Sequence, residues 1–146
     1  MGLGDNRRSP KMRRKKAQAK KKARIKKHKA EKKGYADAMM LDWQGRVAEC
    51  TGANIFFTRD GALHTPIADC FLNGLTRQTV IGMLRDMQIK VHERHIMPEE
   101  LEGFEQCWLT GTAAEVTPVG QIGDYNFVVG DLTKRVASEY EKLVRS

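Results

Sequence analysis

Residues 54–66 read NIFFTRDGALHTP, and this stretch decides the fold class. Residues 54–59 (NIFFTR) are apolar and β-prone, and Asp60-Gly61 is a strong two-residue hairpin turn. Residues 62–65 pair back, and Pro66 closes the second strand. A β-hairpin therefore lies near the middle of the chain.

Working towards the N-terminus, residues 36–41 form a short predicted strand. Asp42-Trp43-Gln44-Gly45 is a turn signal, and residues 46–49 return as a strand. Towards the C-terminus, Leu72-Asn73-Gly74-Leu75 is a loop. A helical run follows over 76–88, with Val80, Met83, Leu84 and Met87 at helical spacing. Residues 89–96 (IKVHERHI) alternate as a strand would, and Pro98 with Glu99 and Glu100 opens a short helix. Residues 106–110 (QCWLT) form a strand that leads into Gly111-Thr112-Ala113-Ala114. A hairpin region marked by Gly120, Gly123 and Gly130 precedes a last helix over 132–145, with Val136, Tyr140, Leu143 and Val144 as its inward face. There is no internal repeat. The order is strand-rich with interspersed helices, which predicts an α+β (mixed α/β) fold.

The charge is divided unevenly. Residues 1–33 hold 16 Lys/Arg and two acids, a sum of +14, whereas residues 34–146 hold 10 Lys/Arg and 16 acids, a sum of −6; together these make the net +8. The chain reads as a mildly acidic domain (34–146) joined to a Lys/Arg-rich arm (1–33). The arm has almost no apolar residues to offset chain entropy, so it is expected to be disordered or, because Ala, Lys, Arg and Gln are good helix formers, helical on a polyanion. Contact of the arm with nucleic acid or another polyanion would be nonspecific and salt-sensitive. No apolar run reaches membrane-span length, and no apolar stretch follows the basic N-terminus as in a signal peptide. Cys50, Cys70 and Cys107 lack CxxC spacing, so reduced thiols in a cytoplasmic protein are expected and a zinc site is not. His92 and His95 are three apart in the predicted strand and face opposite sides, which predicts exposed histidines and no shared metal.

Three segments could carry chemistry. In VAECTGANIF (47–56), Glu49 falls in a strand beside small residues and before an Asn able to fix a turn; it also fits a plain solvent-facing position. In LNGLTR (72–77), a Gly before a helix start lets backbone N–H groups point at an anion, although Gly-x-Thr also serves as an ordinary helix cap. In LTGTAAEVTPV (109–119), a strand running into Gly-Thr-Ala-Ala offers N–H donors and a hydroxyl, or else a tight turn with a capping Thr.

Taken in order, GYADAMMLD, ECTGANIFF, DGALHTP, LNGLTRQTVI, WLTGTAAEVTPV and TKRVASEYEKL resemble the fold-type-IV (class IV) pyridoxal 5'-phosphate (PLP) enzymes, most closely the branched-chain amino acid aminotransferases. The resemblance covers about 113 of the 146 residues, from Gly34 to Ser146. It implies the C-terminal part of the large domain of such an enzyme. The implied activity is transamination of leucine, isoleucine or valine with 2-oxoglutarate, in a cytoplasmic homodimer. It implies that Glu49 pairs with the pyridine nitrogen of PLP, where a carboxylate keeps the ring protonated and a better electron sink. Leu75 and Thr76 match the backbone donors to the cofactor phosphate, and Thr112 matches a hydroxyl and N–H that also hold it. Thr112 and Ala113 match the turn that receives the substrate α-carboxylate.

The family also needs a Schiff-base lysine, which bonds to the cofactor and moves a proton. Counting back from Gly34 by the family spacing lands on Lys15, the catalytic candidate. Its surroundings depart from the family. Lys20 stands where a tyrosine is expected, and Lys20, Lys21, Lys22 and Lys26 replace apolar residues. The upstream small domain, the phosphate-gripping arginine and the aromatic substrate pocket have no counterpart. The expectation is a truncated or rearranged family member with little or no activity as this chain alone.

Overall fold

A computed structural model describes residues 10–146; the first nine residues of the basic arm lie outside the described residues. Backbone contacts divide the chain into two compact units, Met1–Ala38 and Met39–Ser146.

The first unit contains α1 (Pro10–Glu31). Between Lys11 and Glu31 there is neither Gly nor Pro, and strong helix formers dominate. Gly34 takes φ +87 just past the helix end.

The second unit is built on a five-stranded mixed sheet in the order β5-β4-β3-β6-β7, using β3 (Asn54–Arg59), β4 (Ala62–Pro66), β5 (Val91–Arg94), β6 (Gln106–Gly111) and β7 (Glu115–Val119). Only β4 and β5 run parallel, and α2 (Leu75–Asp86) makes the crossover between them. Two small hairpins stand beside the sheet: β1 (Met39–Leu41) with β2 (Val47–Cys50), and β8 (Gln121–Ile122) with β9 (Tyr125–Asn126). A 3-10 turn, Pro98–Gly103, precedes β6, and α3 (Asp131–Arg145) ends the chain.

The continuous NIFF run is explained by burial on both faces. Phe56, Leu63 and Trp108 point to one side, where Val80, Ile81 and Leu84 of α2 and Val136 of α3 cover them. Ile55, Phe57 and Cys107 point to the other, against Val47, Cys50, Ile96, Leu101, Phe104 and Phe127. The Asp60-Gly61 turn has positive φ at both residues, as the hairpin reading requires.

Several boundaries differ from the sequence reading, each for a local reason. The helix read as running to residue 88 ends at Asp86, because Gln88 adopts φ 59. The Gln88 N–H then donates to Arg85 O at 2.9 Å and the Ile89 N–H to Leu84 O at 2.9 Å, a Schellman closure without glycine. That turn consumes the start of the strand predicted over 89–96, which spans only Val91–Arg94. Leu143 and Val144, expected on the inward face of the last helix, are exposed. Val136 is buried, with Leu132 and Tyr140 packed beside it, and the final turn of α3 runs beyond the cover of the sheet.

The histidine expectation also needs correction. His92 is half-buried and stacks on buried His64, with ring centroids 4.8 Å apart, because the parallel register puts the two side by side. His95 is exposed, as expected, but lies beyond β5, its Nε2 3.7 Å from Asp69. Burial first, and then the neighbouring Arg94, push His64 down to about 4, and its Nδ1 accepts a hydrogen bond from Arg94 Nε at 3.1 Å.

Candidate functional site

Three chain crossings meet at one end of the sheet. β2 ends there and turns through Thr51-Gly52-Ala53 into β3; the loop at 72–74 enters α2; and β6 turns at 112–114 into β7. Between them is a pocket of about 270 Å³. Its lining includes Glu49, Leu75, Thr76 and Thr112, so four residues singled out from separate motifs share one cavity. Ala113 is exposed in the turn that follows Thr112 and is not part of the lining. Lys15 is exposed on α1, in the other unit.

The loop before α2 is held by Asn54. This buried side chain donates from Nδ2 to Leu72 O at 2.9 Å and accepts at Oδ1 from the Gly74 N–H at 3.2 Å. The approach is so close that a Cβ on Gly74 would fall 2.7 Å from Asn54 Oδ1. Gly111 is similarly constrained, since a Cβ there would lie 3.2 Å from Gly52 O. The first helical hydrogen bond of α2 runs from the Gln78 N–H to Gly74 O at 3.0 Å. The amides of Leu75, Thr76 and Arg77 precede it, and the N-cap residue Gly74 has no side chain to cap them. The N-terminal amides and the helix dipole together place partial positive charge at the pocket.

Arg77 is the residue whose role the sequence reading missed. Its guanidinium is fully buried, donating to Asn73 Oδ1 at 2.9 Å, Pro66 O at 2.8 Å and Glu93 Oε2 at 3.0 Å. It ties the first turn of α2 to the entry loop and to both parallel strands. Nothing in LNGLTR marks this arginine as buried, because its partners come from residues 66 and 93.

Glu49 also lines the pocket. Burial pushes its carboxyl up from the usual 4.5 to about 7. Among the described residues, the lining holds no Lys, Arg or His to offset it. A ligand carrying both an anionic and a basic group would satisfy both features. The wall also holds Thr110, whose buried hydroxyl lacks a hydrogen-bond partner among the described residues.

The raised carboxyl has a measurable consequence. Between about pH 4.5 and 7 the folded state keeps a proton that the unfolded chain has released, so stability falls as pH rises through that window and levels off above it. The full shift would be worth about 3 kcal/mol, which solvent screening of a half-buried group reduces to about 1 kcal/mol. Glu49→Gln is therefore expected to match the wild type near pH 4.5 and to exceed it in Tm at pH 8. Parallel melting curves across that range would refute this.

The family model for "Amino-transferase class IV" matches residues 5–122 of this chain. The chain belongs to the class IV aminotransferase family. The match reaches into the basic arm and ends at β8, before α3. The "Probable branched-chain-amino-acid aminotransferase" of Rickettsia conorii is 45% identical over 116 residues, covering 77% of this chain and 40% of that protein. The branched-chain-amino-acid aminotransferase of Pseudomonas aeruginosa is 37% identical over 114 residues, covering 76% and 37%. The solved branched-chain aminotransferase of Thermoproteus uzoniensis with norvaline superimposes at a TM-score of 0.83 and 36% identity, over 86% of this chain and 42% of that one. The PLP-bound enzyme of Thermobaculum terrenum gives 0.82 and 32%, over 86% and 42%. The chain thus spans about 40% of the length of the relatives it matches. These neighbours bear out the mixed α/β expectation and its assignment to a PLP-enzyme fold. Among the described residues, no helix is long and apolar enough to cross a membrane, and no group of His, Cys, Asp or Glu could hold a metal.

Proposed function

We propose that this chain carries the phosphate- and ring-binding part of a PLP site, within a protein that transaminates branched-chain amino acids with 2-oxoglutarate as a homodimer. The observation that carries the reading is the gathering of Glu49, Leu75, Thr76 and Thr112 around one pocket. The volume is slightly below the roughly 300–1,000 Å³ usual for ligand sites. The donor set fits the cofactor: helix N-terminal amides and a hydroxyl for the phosphate, and a desolvated carboxyl for the ring nitrogen. PLP, when bound, supplies the electron sink for breaking the bond at the substrate α-carbon.

The protein residues have separate tasks. The amides of Leu75 and Thr76 and the Thr112 hydroxyl bind the phosphate. Asn54 and Arg77 hold the loop that presents those amides. Glu49, as a carboxylate, would hold the proton on the ring nitrogen, and the adjacent cationic ring would lower the raised pKa of its carboxyl. The turn at Thr112 and Ala113 offers amides to the substrate carboxylate. Lys15 is the candidate for covalent attachment and proton transfer. It is exposed on a helix, and among the described residues the pocket lining contains no lysine.

Two measurements test this reading. Titration with PLP is expected to show reversible binding that inorganic phosphate competes away, with pyridoxal binding more weakly. Leucine-dependent glutamate formation is expected to be slight or absent, and borohydride reduction followed by mass spectrometry tests Lys15 directly. Absence of PLP binding, or binding indifferent to phosphate, would overturn the site. Rapid glutamate formation would overturn the expectation of low activity while leaving the site intact.

A further inference from the structure

We propose that α1 is a docking helix for double-stranded DNA, held through the phosphate backbone without regard to base sequence. The helix carries twelve Lys/Arg in 22 residues against a single acid, Glu31. At 100° per residue these cations form opposed rows. Lys11, Lys22 and Lys29 fall within about 20° of one line, and Lys20, Arg24 and Lys27 lie on the opposite side, all exposed. Ala19, Ala23 and Ala30 lie on a line between the two rows. A helix of this form fits a major groove about 12 Å wide, with a cationic row towards each flanking phosphate strand and small residues towards the floor.

The alternatives are weaker on the same observations. A helix lying on a lipid surface needs a broad apolar face, and among the described side chains Ile25 is the one large exposed apolar residue of α1. Single strands are held largely by stacking, and α1 has no aromatic residue but His28. With alanines towards the groove floor and the cationic rows towards the phosphates, the contacts fall on the backbone, which makes the contact sequence-neutral.

A straight helix follows a curved groove over part of its length, so about six cations reach phosphates at once. Neutralising about six gives a slope of log K against log salt near −5, or roughly a 10³-fold loss from about 50 to 200 mM. The test uses the full chain and fluorescence anisotropy. The probes are two short DNA duplexes of unrelated sequence, the matching single strands, and phosphatidylcholine–phosphatidylserine vesicles. The duplexes are expected to bind alike, more tightly than the single strands or vesicles, and with that steep slope. Replacing Lys20, Lys22, Lys27 and Lys29 together by Gln, a good helix former, is expected to flatten the slope by about 3 to 4. The matching set of Lys→Arg changes is expected to keep it. Failure to bind duplex at low salt, preference for vesicles or single strands, or a slope unchanged in the Gln variant would each overturn the proposal. Circular dichroism confirms that the Gln variant keeps its helix.

Discussion

Trp108→Ala is expected to lower the unfolding free energy by about 3–5 kcal/mol, the range for removing a fully buried aromatic side chain. Trp108 is 0% exposed and stacks on Phe56, with centroids 5.9 Å apart and ring planes 11° from parallel. It lies in the cluster that joins the sheet to α2 and α3, so truncation leaves a cavity facing two helices. Against a typical domain stability of about 5–15 kcal/mol, that loss leaves a large unfolded fraction under mild denaturant. Trp108→Phe separates packing from hydrogen bonding. The indole Nε1 is buried without a partner among the described residues, and removing such an orphan relieves a desolvation cost of about 1–3 kcal/mol. The Phe variant is therefore expected to lose less than about 2 kcal/mol even though it is smaller. Urea melts with an unchanged m-value would measure both effects. A loss under about 1 kcal/mol for the Ala variant would mean that the cluster collapses around the gap.

The same strand explains what could be read from the sequence and what could not. β6 was legible because Cys107 and Trp108 point to opposite cores and Gly111-Thr112 marks its end. The Asp60-Gly61 turn was legible because its conformation is set within two residues. The four pocket residues came from local motifs whose meaning was sharpened by family resemblance; spacing alone left Glu49 equally suited to solvent. What stayed hidden depends on partners distant in sequence. Asn54 clamps a loop 18 to 20 residues away, and His92 finds His64 only through the parallel register. The shortening of β5 follows from a left-handed Gln88, a conformation that glycine usually advertises and glutamine does not. The exposure of Leu143 and Val144 depends on where the sheet stops, which helical periodicity does not encode.

Arg77→Met is expected to cost about 3 kcal/mol or more in stability, and also to weaken phosphate binding by about tenfold or more. The guanidinium serves three acceptors while its Nε has no partner among the described residues, so its burial is not an optimum for stability alone. Methionine supplies similar apolar length and good helix propensity, which confines the change mainly to the lost charge and hydrogen bonds. Pro66 O and Asn73 Oδ1 lose their donor, whereas Glu93 keeps Arg85 Nη2 at 3.0 Å. The stability cost therefore falls towards the lower end of the roughly 3–5 kcal/mol for a broken buried pair. The binding loss follows from position. Arg77 is the third residue of α2, and its Asn73 contact braces the loop that presents the amides of Leu75 and Thr76. Arg77→Lys should fall between, because one ammonium replaces a planar fork that reaches separate acceptors. The decisive comparison is PLP against pyridoxal in each variant. A braced cradle predicts that the phosphate-dependent part of the affinity falls most, while a purely structural role predicts equal losses for both ligands.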